Sequence, residues 1–143
     1  MLSYQLIHHS KAAAHLVFIH GAGGSSAIWY KQIRRLSKYY NLLLLDLRGH
    51  GKSQTSFKKK LKKYNFQVIS EDIIEVLDHL KINKGHFIGI SLGTILIREI
   101  AEKHQHRVKS MILAGAAMKI NFKGRLLIRL GNLCKSFIPY MLL

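Results

Sequence analysis

Four short apolar runs, Leu16–Ile19, Leu42–Leu45, His86–Ile90 and Met111–Ala116, set the architecture open to this chain. None is long enough for a helix, and none alternates with polar residues in the way a half-exposed strand would. Continuous runs of this length suit strands buried on both faces, which occur in parallel sheets whose crossovers are helices. Between the runs the periodicity changes to that of a helix. Trp29, Ile33, Leu36 and Tyr40 recur at helical spacing opposite Lys31, Arg34, Arg35 and Lys38, with Ser25 and Ser26 as candidate N-caps. Ile69, Ile73, Val76, Leu77 and Leu80 form one apolar stripe, and Ile95, Leu96 and Ile100 mark a helix running to about His104. Ser3–His8 reads as a further strand. The pattern predicts an α/β fold, a three-layer α/β/α sandwich around a mostly parallel sheet.

Several other classes are excluded. The 143 residues are enough for one domain, and a 48% hydrophobic content is too high for a disordered polyelectrolyte. The one cysteine, Cys134, allows no intrachain disulfide and no multi-cysteine zinc site, and fits a reducing compartment. No stretch approaches the roughly 20 apolar residues of a membrane-spanning helix, and Leu16–Ile19 is too short for a signal-peptide core, so the expected location is cytoplasmic.

Lys and Arg number 23 against 7 acids, a formal charge of +16. All seven acids lie between Asp46 and Glu102. Such a surplus attracts nucleic acid or anionic membrane. Lysine-rich codon usage, or a segment elsewhere that carries balancing acids, explains it more plainly. The Lys58–Lys63 run has no interleaved aromatic platform and reads as a solvated loop, so no specific nucleic-acid partner is expected. Leu126, Leu127, Leu130, Leu133, Phe137 and Ile138, with Arg125, Arg129 and Lys135, leave room for weak association with a membrane surface; a helix that covers an apolar pocket of its own fold has similar composition and is the preferred reading.

The strongest chemical signal is Gly89-Ile90-Ser91-Leu92-Gly93. The bare pattern is weak, but here it follows an apolar run and opens a helix, the setting of a nucleophile elbow. Such a turn strains the serine backbone and crowds its flanks, so Gly89 and Gly93 stand where small residues are needed. A second loop, His20-Gly21-Ala22-Gly23-Gly24, follows another buried run and can turn backbone amides inward, as the charge of a tetrahedral intermediate requires. It lacks the lysine and Ser/Thr ending of a nucleotide-phosphate loop and the spacing of a dinucleotide fingerprint.

Together with Trp29, Asp46-Leu47-Arg48-Gly49-His50-Gly51-Lys52-Ser53 and Arg107-Val108-Lys109-Ser110-Met111-Ile112-Leu113, these motifs resemble the α/β-hydrolase superfamily, in particular its esterase-like members, from about Leu16 to Ala117. The resemblance implies a serine hydrolase of esterase or acyl-transfer type acting on a small ester-like substrate. Ser91 would be the nucleophile, the backbone amides of Ala22 and Leu92 the oxyanion hole, and His20, Gly21, Gly89 and Gly93 the supporting turns. It implies no cofactor and no metal. It also implies an acid and a histidine after the serine. No Asp follows Ser91, Glu99 and Glu102 lie on the helix leaving it, and His104 and His106 sit at that helix's far end. The chain therefore reads as the N-terminal part of such a fold, C-terminally incomplete, with core over residues 1–117 and the start of a helical cap over 118–143. Alone it is expected to be nearly inactive, with the Met111–Ala116 strand left as an open edge for self-association. The alternative is a non-catalytic remnant or basic binding module.

Three further groups have plainer roles. Asp46 precedes the serine and is expected to accept backbone amides at a strand end. Glu71, Glu75 and Asp78 share a helix face without a histidine at ligand spacing, as a solvated surface does. His20 is expected to shape its loop and not to act as a base.

Overall fold

The computed structural model describes residues 1–12, 14–53 and 65–116. Among them five strands, β1 (Ser3–Ile7), β2 (His15–Ile19), β3 (Asn41–Asp46), β4 (Gly85–Ile90) and β5 (Val108–Ala114), form one sheet in the order β1-β3-β2-β4-β5. β2, β3, β4 and β5 run parallel to one another, and β1 closes one side antiparallel to β3. Among the described residues three α-helices accompany them: α1 (Tyr30–Leu36), α2 (Phe66–His79) and α3 (Leu92–Lys103).

The continuous apolar runs are buried on both faces. Along β2 and β3, Val17, Ile19, Leu43 and Leu45 point to one side, against Ile69, Ile73 and Leu77 of α2 and Leu96, Ile97 and Ile100 of α3. Leu16, Phe18, Leu42 and Leu44 point to the other, against Trp29 and the half-buried Ile33 and Leu36 of α1. Two cores on opposite faces of one sheet make the three layers. Each fully buried Leu, Ile or Phe contributes about 1.5–3 kcal/mol relative to exposure, so the central strands are the best-anchored part of the molecule.

Local signals set the helix ends. The Asn65 side chain accepts the Val68 amide at 2.8 Å and starts α2. The expected helix over Trp29–Tyr40 is shorter than its periodicity suggests. It opens with a 3-10 turn, Ser26–Trp29, whose N-cap residue Ser25 makes no side-chain capping bond. Its last turn coils over the Leu36 carbonyl, which accepts the amides of both Tyr39 and Tyr40 and redirects the chain into β3. Tyr40 is still half-buried against the core, so its spacing reflected packing and not helix length.

Among the described residues β5 pairs only with β4, and Met111 and Ile112 on it are exposed. No described helix is long and apolar enough to cross a membrane. The Lys58–Lys63 run, Ala117 and the 118–143 segment lie outside the described residues.

Candidate active site

Ser91 stands between the end of β4 and the start of α3 with φ +51° and ψ −113°. This backbone region is costly for a residue with a side chain, and it persists because the surroundings determine it. The Ser91 amide donates to the Ala114 carbonyl of β5 at 3.0 Å. The Ser91 carbonyl accepts both the Thr94 amide at 2.9 Å and the Thr94 hydroxyl at 2.7 Å. The side chain is exposed, and no described residue hydrogen-bonds its hydroxyl.

The flanking glycines are required by contact. A β-carbon on Gly89 would come within 2.5 Å of Ile97 Cδ1 and 2.8 Å of the Gly93 carbonyl carbon. One on Gly93 would collide with the Ile19 carbonyl oxygen of β2. Both close approaches press α3 onto the sheet edge, so the helix N-terminus, with its partial positive charge, stands beside the serine.

The loop after β2 lies directly across from the elbow. A β-carbon on Gly21 would sit 3.3 Å from Ser91 Cβ. Gly23 adopts φ +72°, and Gly24 donates to the Gly21 carbonyl to close a tight turn. Among the described residues no acceptor takes the Ala22 amide. Leu92, as the first residue of α3, has no intrahelical acceptor for its amide.

His20 is fully buried, with both ring nitrogens committed: Nδ1 bonds the Gly21 carbonyl at 2.7 Å and Nε2 accepts the Leu47 amide at 3.0 Å. Burial lowers its pKa from the ordinary value, as does His50, against the Gly21 hydrogen bond and the Asp46 charge, which raise it. Both ring nitrogens are thus spent on the loops that flank the ring. Asp46 takes the role expected for it at the end of β3. Its carboxylate accepts the Ser26 amide at 2.7 Å and the Lys52 amide at 2.9 Å. Burial pushes its pKa up, but those amides, the Ser26 hydroxyl and His20 outweigh burial and hold the carboxyl below its ordinary value.

The other histidines near the core strands are also engaged. His86 bonds the Ser110 hydroxyl at 2.8 Å, at the start of β4 and so at the opposite end of that strand from Ser91. His104 bonds Glu71 at 3.0 Å, and Glu99 pairs with Lys103. Glu71, Glu75 and Asp78 are exposed and spend their charge on His104, the N-terminus and Arg107. Among the described residues no cluster could hold a metal ion.

Sequence reasoning missed two features. The Arg48 guanidinium grips Asp72 of α2 with two bonds, at 2.7 and 2.6 Å, and fixes the loop after β3. From that loop His50 accepts the Gly23 amide at 3.0 Å, while its Nδ1 bonds the Arg48 carbonyl at 3.0 Å. The signal for His50 was its setting between Gly49 and Gly51, both at positive φ, where a tight turn aims one side chain.

A family model described as the alpha/beta hydrolase fold matches residues 14–127. The chain is 32% identical over 119 residues to 3-oxoadipate enol-lactonase 1 of Acinetobacter baylyi, covering 83% of this chain and 42% of that protein. A hydrolase from Pseudomonas aeruginosa PA01 superposes with a TM-score of 0.79 at 25% identity, over 94% of this chain and 49% of the other. The enol-lactonase from Burkholderia xenovorans LB400 shares the fold, with a TM-score of 0.75 at 24% identity over 93% of this chain and 55% of the other. The chain spans less than half the length of the curated relatives it matches.

Proposed function

The chain belongs to the α/β-hydrolase fold family, and on that premise we propose that it carries the nucleophilic half of a serine hydrolase acting on a small ester or lactone. The observation that carries this reading is the strained Ser91 backbone at a strand-to-helix turn, with Gly21 of the facing loop packed against it. In the proposed reaction Ser91 Oγ attacks the substrate carbonyl, and the amides of Ala22 and Leu92 receive the oxyanion. Both amides lack another acceptor among the described residues, and each such donor is worth about 2.7–4 kcal/mol in the transition state. Collapse of the intermediate breaks the acyl–oxygen bond, and the proton taken from Ser91 passes through the base to the departing oxygen; an ester releases its alcohol, a lactone opens its ring, and water then cleaves the acyl-serine. An apolar hollow of about 310 Å³ lined by Asn65, Phe66, Ile69 and Leu92 lies beside the elbow and suits a short acyl chain.

The serine proton needs a base. Of the nine histidines, His20, His50, His86 and His104 are bound elsewhere, His79 packs its ring against Tyr4, and His8, His9, His15 and His106 lie toward the strand ends away from Ser91; no Asp follows Ser91. The proposal therefore assigns the histidine and its acid to sequence outside this chain, with residues 1–117 as the N-terminal part of the core and 118–143 as the start of a helical cap. Loss of a triad histidine costs about 10⁶ in turnover, while an intact oxyanion hole retains roughly 10³–10⁴ over water. The chain alone is then close to inactive.

Imidazole can stand in for the missing base. The chain is incubated with p-nitrophenyl acetate and increasing imidazole, and acetylation of the Ser91 peptide is followed by mass spectrometry. An adduct that grows with imidazole and is absent in Ser91→Ala supports the proposal. Acetylation confined to lysines, at equal rates in both proteins, overturns it.

The charge of +16 favours one second reading, an electrostatic binder of nucleic acid or anionic lipid, whose affinity would fall steeply between low and moderate salt. Among the described residues β5 is paired on one side only, with Met111 and Ile112 exposed, which favours self-association on either reading.

A further inference from the structure

An oxyanion donor is effective only if it is aimed before the substrate arrives, because reorganisation during the reaction cancels its benefit. The loop that would supply the Ala22 amide contains Gly21, Gly23 and Gly24, three residues with little intrinsic preference for one conformation. Its rigidity has to come from outside.

Two imidazoles supply it. His20 Nδ1 and the Gly24 amide both bond the Gly21 carbonyl oxygen. Gly21 C=O and Ala22 N–H belong to one planar trans peptide, so fixing the carbonyl on one side directs the amide to the other. The next peptide is fixed by His50, whose Nε2 accepts the Gly23 amide. Ala22 is thus held on both flanks. The partners also dictate the tautomers, since an amide only donates and a carbonyl only accepts. In both rings Nε2 is bare and Nδ1 carries the proton: His20 donates to Gly21 and accepts from Leu47, and His50 donates to Arg48 and accepts from Gly23. The ring centroids are 5.2 Å apart.

We infer that His50, paired with His20, is a positioning residue that aims the Ala22 amide at Ser91, and that it does so only as the neutral Nδ1–H tautomer. This rests on the serine-hydrolase reading above. Protonation of His50 places an N–H against the Gly23 N–H, two donors face to face, and the suture between the loop after β2 and the loop after β3 opens. Among the described residues the charged and titratable groups around the pair are these. His20 faces His50 from the loop after β2, and Asp46, at the end of β3, acts on His20 while bound to the Ser26 and Lys52 amides. On the His50 loop itself, the Arg48 guanidinium is turned to Asp72 of α2, and Lys52 is exposed. Burial and the neighbouring His50 ring disfavour charging His20, against the Gly21 hydrogen bond and the Asp46 charge.

The test uses the chain labelled with ¹⁵N in histidine and glycine. The expected result is Nδ1–H tautomers for His20 and His50 near neutrality, and a Gly23 amide resonance that shifts on acidification with the midpoint of the His50 ring. In His50→Gln the side-chain carbonyl can accept the Gly23 amide at any pH, so the step disappears. In His50→Phe the Gly23 amide exchanges faster at every pH, while Leu43 and Leu44 amides stay protected and show that the sheet is intact. Imidazole-driven acetylation of Ser91 falls about tenfold in His50→Phe, the equivalent of one lost aiming contact, and is restored in His50→Gln. A Gly23 resonance indifferent to His50 protonation, or a step that survives in His50→Gln, overturns the inference. The two readings fail separately: no Ser91 acetylation in wild type sinks the hydrolase proposal, whereas a normal rate in His50→Phe sinks the positioning role.

Discussion

The α-carbon of Gly21 faces Ser91 so closely that a β-carbon there would lie 3.3 Å from the serine Cβ and 3.4 Å from the Ile90 carbonyl oxygen. The two loops that would form the reaction site are in van der Waals contact, with no space for a larger side chain between them. Gly21→Val should therefore cover the hydroxyl. Imidazole-driven acetylation of Ser91 is expected to fall by at least about a hundredfold, with a destabilisation of about 1–3 kcal/mol from the forced contact. Acetylation kinetics together with a urea titration check both, and undiminished acetylation in a folded Gly21→Val protein would contradict the geometry.

Ser91 holds a backbone conformation suited to glycine. Strain of this kind costs about 1–3 kcal/mol, whereas glycine adds about 0.5–1 kcal/mol of entropy loss on folding. Ser91→Gly should accordingly stabilise the fold by roughly 1 kcal/mol, and Ser91→Ala, which keeps a β-carbon, should leave stability nearly unchanged. The comparison of urea midpoints isolates strain from loss of the hydroxyl.

Asp72 carries a structural load far from the serine. Its two bonds to Arg48 are short, and the side chains are 9% and 16% exposed respectively. Asp72→Ala leaves the guanidinium without its counter-charge in a mostly desolvated place and is expected to cost about 3 kcal/mol. Because Arg48 anchors the loop that bears His50, the Gly23 amide should also exchange faster in this variant, which hydrogen exchange resolves.

Stability should depend on acid in two separate windows. His20 and His15 have folded pKa values below 6.5, with burial the largest cause for each. The unfolded chain therefore binds their protons more readily, so stability is full above pH 6.5 and declines as pH falls below it, until the folded rings protonate. Asp46 has a folded pKa below 3.8, so its contribution is full above 3.8 and is lost as pH falls through the folded value. Urea midpoints measured from pH 8 downward should show the first decline blunted in His20→Gln and the second removed in Asp46→Asn.

The sheet was legible in the sequence because burial on both faces leaves an unmistakable apolar run, and β2, β3, β4 and β5 coincide with the four runs to within about three residues at each end. The elbow was legible because close approach demands glycine, and Gly89 and Gly93 meet Ile97 and Ile19. The tie between His50 and Gly23 and that between Arg48 and Asp72 were not. Each joins residues more than twenty positions apart, and periodicity tells which face a residue occupies but not which partner it meets there. The short α1 was misjudged for a related reason. Tyr40 packs on the same core as Ile33 and Leu36 after the helix has ended, so helical spacing continued where helical backbone did not.

The bond from the Ser91 amide to the Ala114 carbonyl ties the bend to the last residue of β5, the outermost described strand on that side of the sheet. Loosening of β5 from β4 would therefore withdraw an acceptor from the strained residue itself, so that fraying at this margin would reach the serine before it reached β2 and β3.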